Sequence, residues 1–317
     1  MKYGKFLLTA SLLIAGFCSL TAKDLKVMMI GNSFSVCVGF YLPQIVKSVP
    51  GHRLELTSVY IGGCSLERHC RHLREAEKDP EVKPYSIRCW DTAAKKNPVF
   101  TGRDNLNSML KKGQYDIITI QQASRDSWNY KTYQPYADEL IAYIRKYQPK
   151  AEIVIQQTWA YRKDGAQLKP NPKAKWDFDQ TGMYERIRDA YRKLAEAYHL
   201  RVIPTGDAVQ LFRKYTPVKF QVSTKKFEYP ELPSTAGDVV GNVVWRKDPK
   251  TGKYVLRIDP NHLNASGHYL QACLWFAFLY GEPTSKIAFA PQNMKGEECA
   301  LLRKCAQEAQ DHYQQVK

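Results

Sequence analysis

The sequence predicts an α/β fold of the three-layer, flavodoxin-like type: a mainly parallel five-stranded sheet with helices on both faces. Short apolar runs alternate with longer stretches of helical period, the pattern of a parallel sheet wrapped by helices. The runs are almost continuously apolar rather than alternating, as strands buried on both faces are. No Gly/Ser-rich or Pro-rich linker divides the 317 residues, which favours one domain with insertions over two domains.

In chain order the expected strands are Leu25 to Ile30, Leu54 to Tyr60, Tyr115 to Ile120, Glu152 to Ile155 and Val202 to Pro204. Helical period is found over Gly39 to Val49, Tyr136 to Lys146, Met183 to Tyr198, Gly267 to Leu279 and Glu297 to Tyr313. Two segments break the alternation and are expected to be insertions that rim a binding site. Residues 71–103 are rich in charge, Pro and Tyr. Residues 220–258 contain two β-prone runs, Val239 to Arg246 and Tyr254 to Ile258, around Asp248-Pro249-Lys250-Thr251-Gly252, which reads as an inserted β-hairpin.

At the N-terminus Lys2 and Lys5 precede an apolar run from Phe6 to Phe17 and a small-residue site at Ala22. This is the pattern of a signal peptide, residues 1–22, and it predicts export to the periplasm, the cell surface or the medium. Lipid attachment through Cys18 is disfavoured because Phe17 stands where a small residue is wanted. No later segment is long and apolar enough to span a bilayer.

The formal net charge is +16. That excess steers an exported protein toward acidic polysaccharides or anionic surfaces, or simply keeps it soluble. The charges are scattered and no nucleic-acid-binding signature accompanies them, so nucleic acid is not an expected partner. Seven cysteines follow the leader. Cys64, Cys70 and Cys89 are close enough in sequence to offer one bridge, and Cys299 with Cys305 another, although spacing cannot fix pairing. No metal-ligand spacing is present, and neither metal nor organic cofactor is expected.

Two segments carry chemistry. The first strand runs into Ile30-Gly31-Asn32-Ser33-Phe34, which places Ser33 at the carboxyl end of a central strand, where backbone N–H groups begin a helix. Alone this is equally an ordinary turn and cap. Near the other end stands Arg257-Ile258-Asp259-Pro260-Asn261-His262, read as a loop running into a helix. A serine nucleophile needs a base to take its proton and a carboxylate to orient that base, and Asp259 with His262 would supply both.

With these blocks in hand, the sequence resembles the SGNH (GDSL-type) hydrolases, in particular an exported subgroup that begins G-N-S-F and includes carbohydrate acetylesterases. The resemblance runs from Lys26 to about Pro283. It implies the fold of that superfamily and a catalytic triad of Ser33, His262 and Asp259. It also implies an oxyanion hole made by Ser33, by a glycine after the second strand, with Gly63 preferred to Gly62, and by a residue after the third strand. There the sequence departs from the pattern: Gln121-Gln122-Ala123-Ser124-Arg125-Asp126 replaces the usual G-x-N-D, and Gln121 is preferred to Gln122 as the third donor. Gln122, Arg125, Trp159 and Tyr161 are the expected substrate contacts, with Arg125 meeting an acidic substrate or pairing with Asp126, and the two aromatics walling a sugar subsite.

The implied activity is removal of O-acyl groups, acetyl above all, from an acylated glycan, acidic or neutral. A silent carbohydrate-binding protein on the same fold and a lipase or thioesterase are the alternatives. Neither the oligomeric state nor the role of the last helix is legible.

Overall fold

The structure is a computed structural model and describes residues 22–168 and 176–315. The expected leader, apart from Ala22, lies outside these residues. The first strand, β1 (Lys23–Gly31), sets the frame: Val27, Met28, Met29 and Ile30 are all buried, so β1 has a strand on either edge and helices over either face.

A one-turn helix α1 (Ser33–Val36), a 3-10 turn (Cys37–Phe40) and α2 (Leu42–Lys47) lead to β2 (His52–Tyr60), parallel to β1. After α3 (Leu66–Lys78) come two antiparallel strands, β3 (Tyr85–Asp91) and β4 (Phe100–Asp104). The chain then passes through α4 (Leu106–Lys112) to β5 (Ile117–Ile120), on the other edge of β1. Beyond it follow α5 (Tyr136–Tyr147), β6 (Glu152–Gln156), α6 (Gln180–Tyr198), β7 (Arg201–Ile203) and α7 (Thr205–Tyr215). A separate ribbon, β8 (Val240–Lys247) and β9 (Tyr254–Leu263), precedes α8 (Ala265–Tyr280) and α9 (Gly296–Gln315).

The sheet order is β4-β3-β2-β1-β5-β6-β7, with β2, β1, β5, β6 and β7 parallel. The fold is the expected flavodoxin-like α/β. Strand order reverses direction between β1 and β5, and right-handed crossovers then place α2 on one face and α3 to α6 on the other. Packing agrees: α3 meets α4 and α5, while α2, α7 and α9 gather around α8. Apart from Ser266 and His268 near its start and the buried Gln271, α8 is apolar around its circumference, and from Tyr269 to Tyr280 every residue is buried, as an apolar helix requires.

Three expectations change. The sheet has seven strands, because part of residues 71–103 adds β3 and β4 to the edge of β2. Their half-buried alternation was masked by charge and proline, and antiparallel edge strands need only one apolar face. The same segment also begins inside α3, which Ser65 caps by accepting from Arg68 N–H. Finally, all seven described cysteines are free thiols. Cys299 and Cys305 lie six residues apart on α9, about 9 Å along the axis, beyond the span of a disulfide. Burial pushes the thiols of Cys37, Cys64, Cys70 and Cys305 up to about 12, so they are packing groups. The last helix packs on the core through Cys299, Leu302, Cys305, Ala306 and Ala309.

Candidate active site

Strand order reverses between β1 and β5, and in sheets of this kind ligands sit at the carboxyl ends of the strands beside such a reversal. Ser33 stands at the end of β1, in the turn entering α1. Since α1 is one turn long, its contribution is individual N–H groups rather than a macrodipole.

Asn32 anchors this turn. Its Oδ1 accepts from Phe34 N–H at 3.0 Å and from Gln121 Nε2 at 2.7 Å, and its Nδ2 donates to the Cys64 carbonyl at 2.9 Å. One buried side chain thereby ties together the ends of β1 and β5 and the Gly62-Gly63 turn. Below it, the Phe34 carbonyl accepts from Gln156 Nε2 at 2.5 Å and Gln271 Nε2 at 3.0 Å. All four amide side chains are buried, so the Ser33 turn sits on a hydrogen-bonded platform with few rotameric alternatives.

Asp259 and His262 lie not in a loop but on β9, at an irregularity of the ribbon. Val240 pairs with Leu263 and Asn242 with Asp259, so Pro260, Asn261 and His262 bulge opposite the single residue Gly241. Gly241 has φ +109, and a Cβ there would collide with the Arg162 guanidinium. The bulge re-aims His262 toward β1. Its Nε2 is 2.8 Å from Ser33 Oγ, and its Nδ1 is 2.7 Å from Asp259 Oδ2. The second carboxylate oxygen of Asp259 accepts from the N–H groups of Asn261 (2.9 Å) and His262 (3.2 Å). Partial burial pushes the Asp259 carboxyl up, but the His262 bond and these two N–H groups outweigh it and hold the pKa down at about 2.

The segment leaving β6 braces the bulge. Trp159 is fully buried and stacks on Phe34 with ring centroids 4.0 Å apart, while its Nε1 donates to the Asn261 carbonyl at 2.9 Å. Arg162 N–H donates to the Pro260 carbonyl at 2.8 Å, and the buried Arg162 guanidinium is held by Asp164 at 2.7 and 2.8 Å. Trp159 therefore joins the Ser33 turn to the Asp259–His262 bulge, and its buried ring is not a subsite wall. Tyr161 is likewise buried, its hydroxyl bonded to Ser124 Oγ at 2.8 Å, and offers no face to a sugar. Gln122 is also withdrawn from the surface. Its Oε1 accepts from Leu66 and Ala123 N–H, and its Nε2 donates to Thr132, leaving no substrate contact.

Arg125 remains outward, with its Nε 3.4 Å from Asp126 Oδ2, and its guanidinium lies beside Gly63: a Cβ on that glycine would stand 3.4 Å from Nη1. Gly63 adopts φ +59, the left-handed region that favours glycine. Among the described residues the backbone N–H groups of Ser33 and Gly63 have no acceptor. Gln121 is buried beside Gly31, with one amide hydrogen given to Asn32 and its Oε1 without a partner among the described residues. Sequence reasoning passed over Asn32, Gln156 and Gln271. Asn32 reads as an ordinary cap, and only the fold brings the two glutamines under Phe34.

No group of three or more metal-ligating side chains occurs among the described residues. No helix among them is long and apolar enough to cross a membrane.

Among curated proteins none matches this chain. A solved structure of a DUF4886 family protein from Bacteroides uniformis is 27% identical, with a TM-score of 0.70, covering 90% of this chain and 95% of that one. More distant likenesses include a Slackia heliotrinireducens protein provisionally described as an SGNH hydrolase, at 15% identity, TM-score 0.42, and coverage of 79% of this chain and 96% of that one. A member of the lipolytic G-D-S-L family from Veillonella parvula stands at 12% identity, TM-score 0.40, and coverage of 81% and 97%. Residues 26–225 match the family described as a domain of unknown function, DUF4886, and the chain belongs to that family.

Proposed function

We propose that this protein is an SGNH-type serine hydrolase that removes O-acyl groups, chiefly acetyl, from an exported or extracellular glycan. The observation that carries the reading is the unbroken chain from Ser33 Oγ through both ring nitrogens of His262 to Asp259, with links of 2.8 and 2.7 Å. In the proposed mechanism His262 takes the Ser33 proton as the hydroxyl attacks the ester carbonyl. Asp259 fixes the tautomer with Nδ1–H toward itself and stabilises the imidazolium. The N–H groups of Ser33 and Gly63, with the second amide hydrogen of Gln121, receive the oxyanion, each such donor lowering the barrier by about 3 kcal/mol. The alcohol leaves with the proton from His262, and water, activated by the same base, releases the acid.

The carbohydrate part draws on the sequence resemblance, the basic composition and the expected leader. The test is acetate release from p-nitrophenyl acetate and from acetylated polysaccharides by wild type and Ser33→Ala. Ser33→Ala is expected to lose activity by about 10⁴-fold or more. Equal rates in the two proteins would remove the serine mechanism.

A further inference from the structure

The β8–β9 ribbon does more than deliver Asp259 and His262. One of its faces, made by Asn242, Val244, Arg246, Val255, Arg257 and Asp259, borders an open cavity of about 680 Å³ that starts at the catalytic aspartate and runs to the ribbon tip. The opposite face is partly covered: Tyr229 stacks on Tyr254 at 3.8 Å, and Trp245 Nε1 donates to the Glu231 carbonyl at 2.9 Å. The cavity face is left free. It carries Arg246 and Arg257, with Lys247 at its end, and none of the three forms an ion pair with an acid among the described residues. The acids that border it are engaged elsewhere. Asp248 accepts from the turn N–H groups of Lys250 and Thr251, and Asp259 is taken up by His262 and the bulge.

Two unpaired cations, Arg246 and Arg257, interleaved with Val244 and Val255, with Lys247 at the rim, match a ligand that carries carboxylates on rings with apolar faces. From Tyr254 to Asp259 the strand rises roughly 17 Å, long enough for more than one ring. We infer that this groove binds an acidic, uronate-containing polysaccharide and leads its acyl ester to Ser33. Guanidinium groups pair bidentately with carboxylates, so Arg246 and Arg257 set the preference for an acidic over a neutral chain. The inference deepens the esterase reading and, for delivery of the ester, rests on it; binding by the groove does not.

The experiment uses the full chain and compares wild type with Arg246→Ala/Arg257→Ala on O-acetylated polygalacturonate, O-acetylated xylan and p-nitrophenyl acetate. The ratio of kcat/KM on the acidic ester to that on p-nitrophenyl acetate is expected to fall at least tenfold, mainly through KM. The xylan ratio should stay within about twofold, and the double Arg→Lys variant should recover part of the loss. An unchanged ratio, or an equal fall on xylan, would overturn the assignment. Retardation in native gels containing unacetylated polygalacturonate reads the groove without chemistry: wild type slowed, the double alanine variant not. If Ser33→Ala matches wild type on every ester while this retardation holds, the esterase reading fails and the groove stands. No retardation, or binding to phosphatidylglycerol vesicles in its place, removes the groove.

Discussion

The turn that carries Ser33 is fastened from below by the buried amides of Asn32, Gln121, Gln156 and Gln271, whereas the bulge that carries Asp259 and His262 is held at the root of a largely exposed ribbon. The bulge is held mainly through its main-chain carbonyls, Pro260 by Arg162 N–H and Asn261 by Trp159. Side-chain amides on a platform fix position at the cost of burying polar groups, and here the Oε1 atoms of Gln121 and Gln156 are left without a partner among the described residues. Carbonyl tethers fix a strand's path while leaving its side chains free to differ. Cutting a tether on the Ser33 side should therefore cost both stability and turnover, and cutting one on the His262 side mainly turnover.

Asn32→Ala is the hardest blow to the platform. It strands Phe34 N–H, Gln121 Nε2 and the Cys64 carbonyl, and a loss of about 3 kcal/mol in urea unfolding is expected, together with a fall in esterase kcat of more than 100-fold. A variant of wild-type stability would show that the platform is not what holds the turn. Trp159→Phe keeps much of the stack on Phe34 and deletes only the tether to Asn261. Here kcat should drop about tenfold with KM nearly unchanged and a stability cost of about 1 kcal/mol. An effect confined to KM would instead return Trp159 to the substrate.

The smallest effect concerns pH. In the fold the Asp259 carboxyl is held at about 2, below the roughly 3.9 of an unfolded chain. Its depressed value contributes stability that is present above the unfolded value and is lost as pH falls from about 4 through 2. Because the group is about 41% exposed, solvent screens much of this. Melting temperatures of wild type and Asp259→Asn should converge slightly over that interval. Parallel curves would mean that the carboxylate is not held by His262 in solution.

Much of the frame was legible because buried parallel strands are written as uninterrupted apolar runs, as in Ile117-Ile118-Thr119-Ile120. The strands β3 and β4 were not, since Arg88, Thr101 and Arg103 face outward on a half-exposed edge and look like loop residues. Ser33, Asp259 and His262 were visible as residue types at telling positions, yet that two of them sit on a bulged strand was not, for a bulge is defined by the partner strand. The misplacement of Gln122, Trp159 and Tyr161 has a single physical cause. Polar and aromatic residues at the carboxyl end of a buried strand look alike in sequence whether they open to solvent or are covered by segments distant in the chain: Trp159 meets Asn261, Gln122 meets Leu66 and Thr132, and Tyr161 meets Ser124 and Met183. Gln156 and Gln271, 115 positions apart in the chain, acquire meaning only where both reach the Phe34 carbonyl.

The ribbon joins the rest of the chain through two fixed points. Asp238 is clamped by Arg213 at 3.0 Å, and Asn264 caps α8 by accepting from Gly267 N–H at 3.1 Å. Between those points the chain behaves as an exchangeable arm: its length and outer face can be rewritten at the small entropic cost of altering a surface excursion, while His262 is returned to the same place by the root. A protein arranged in this way can acquire a new clientele by replacing the arm alone.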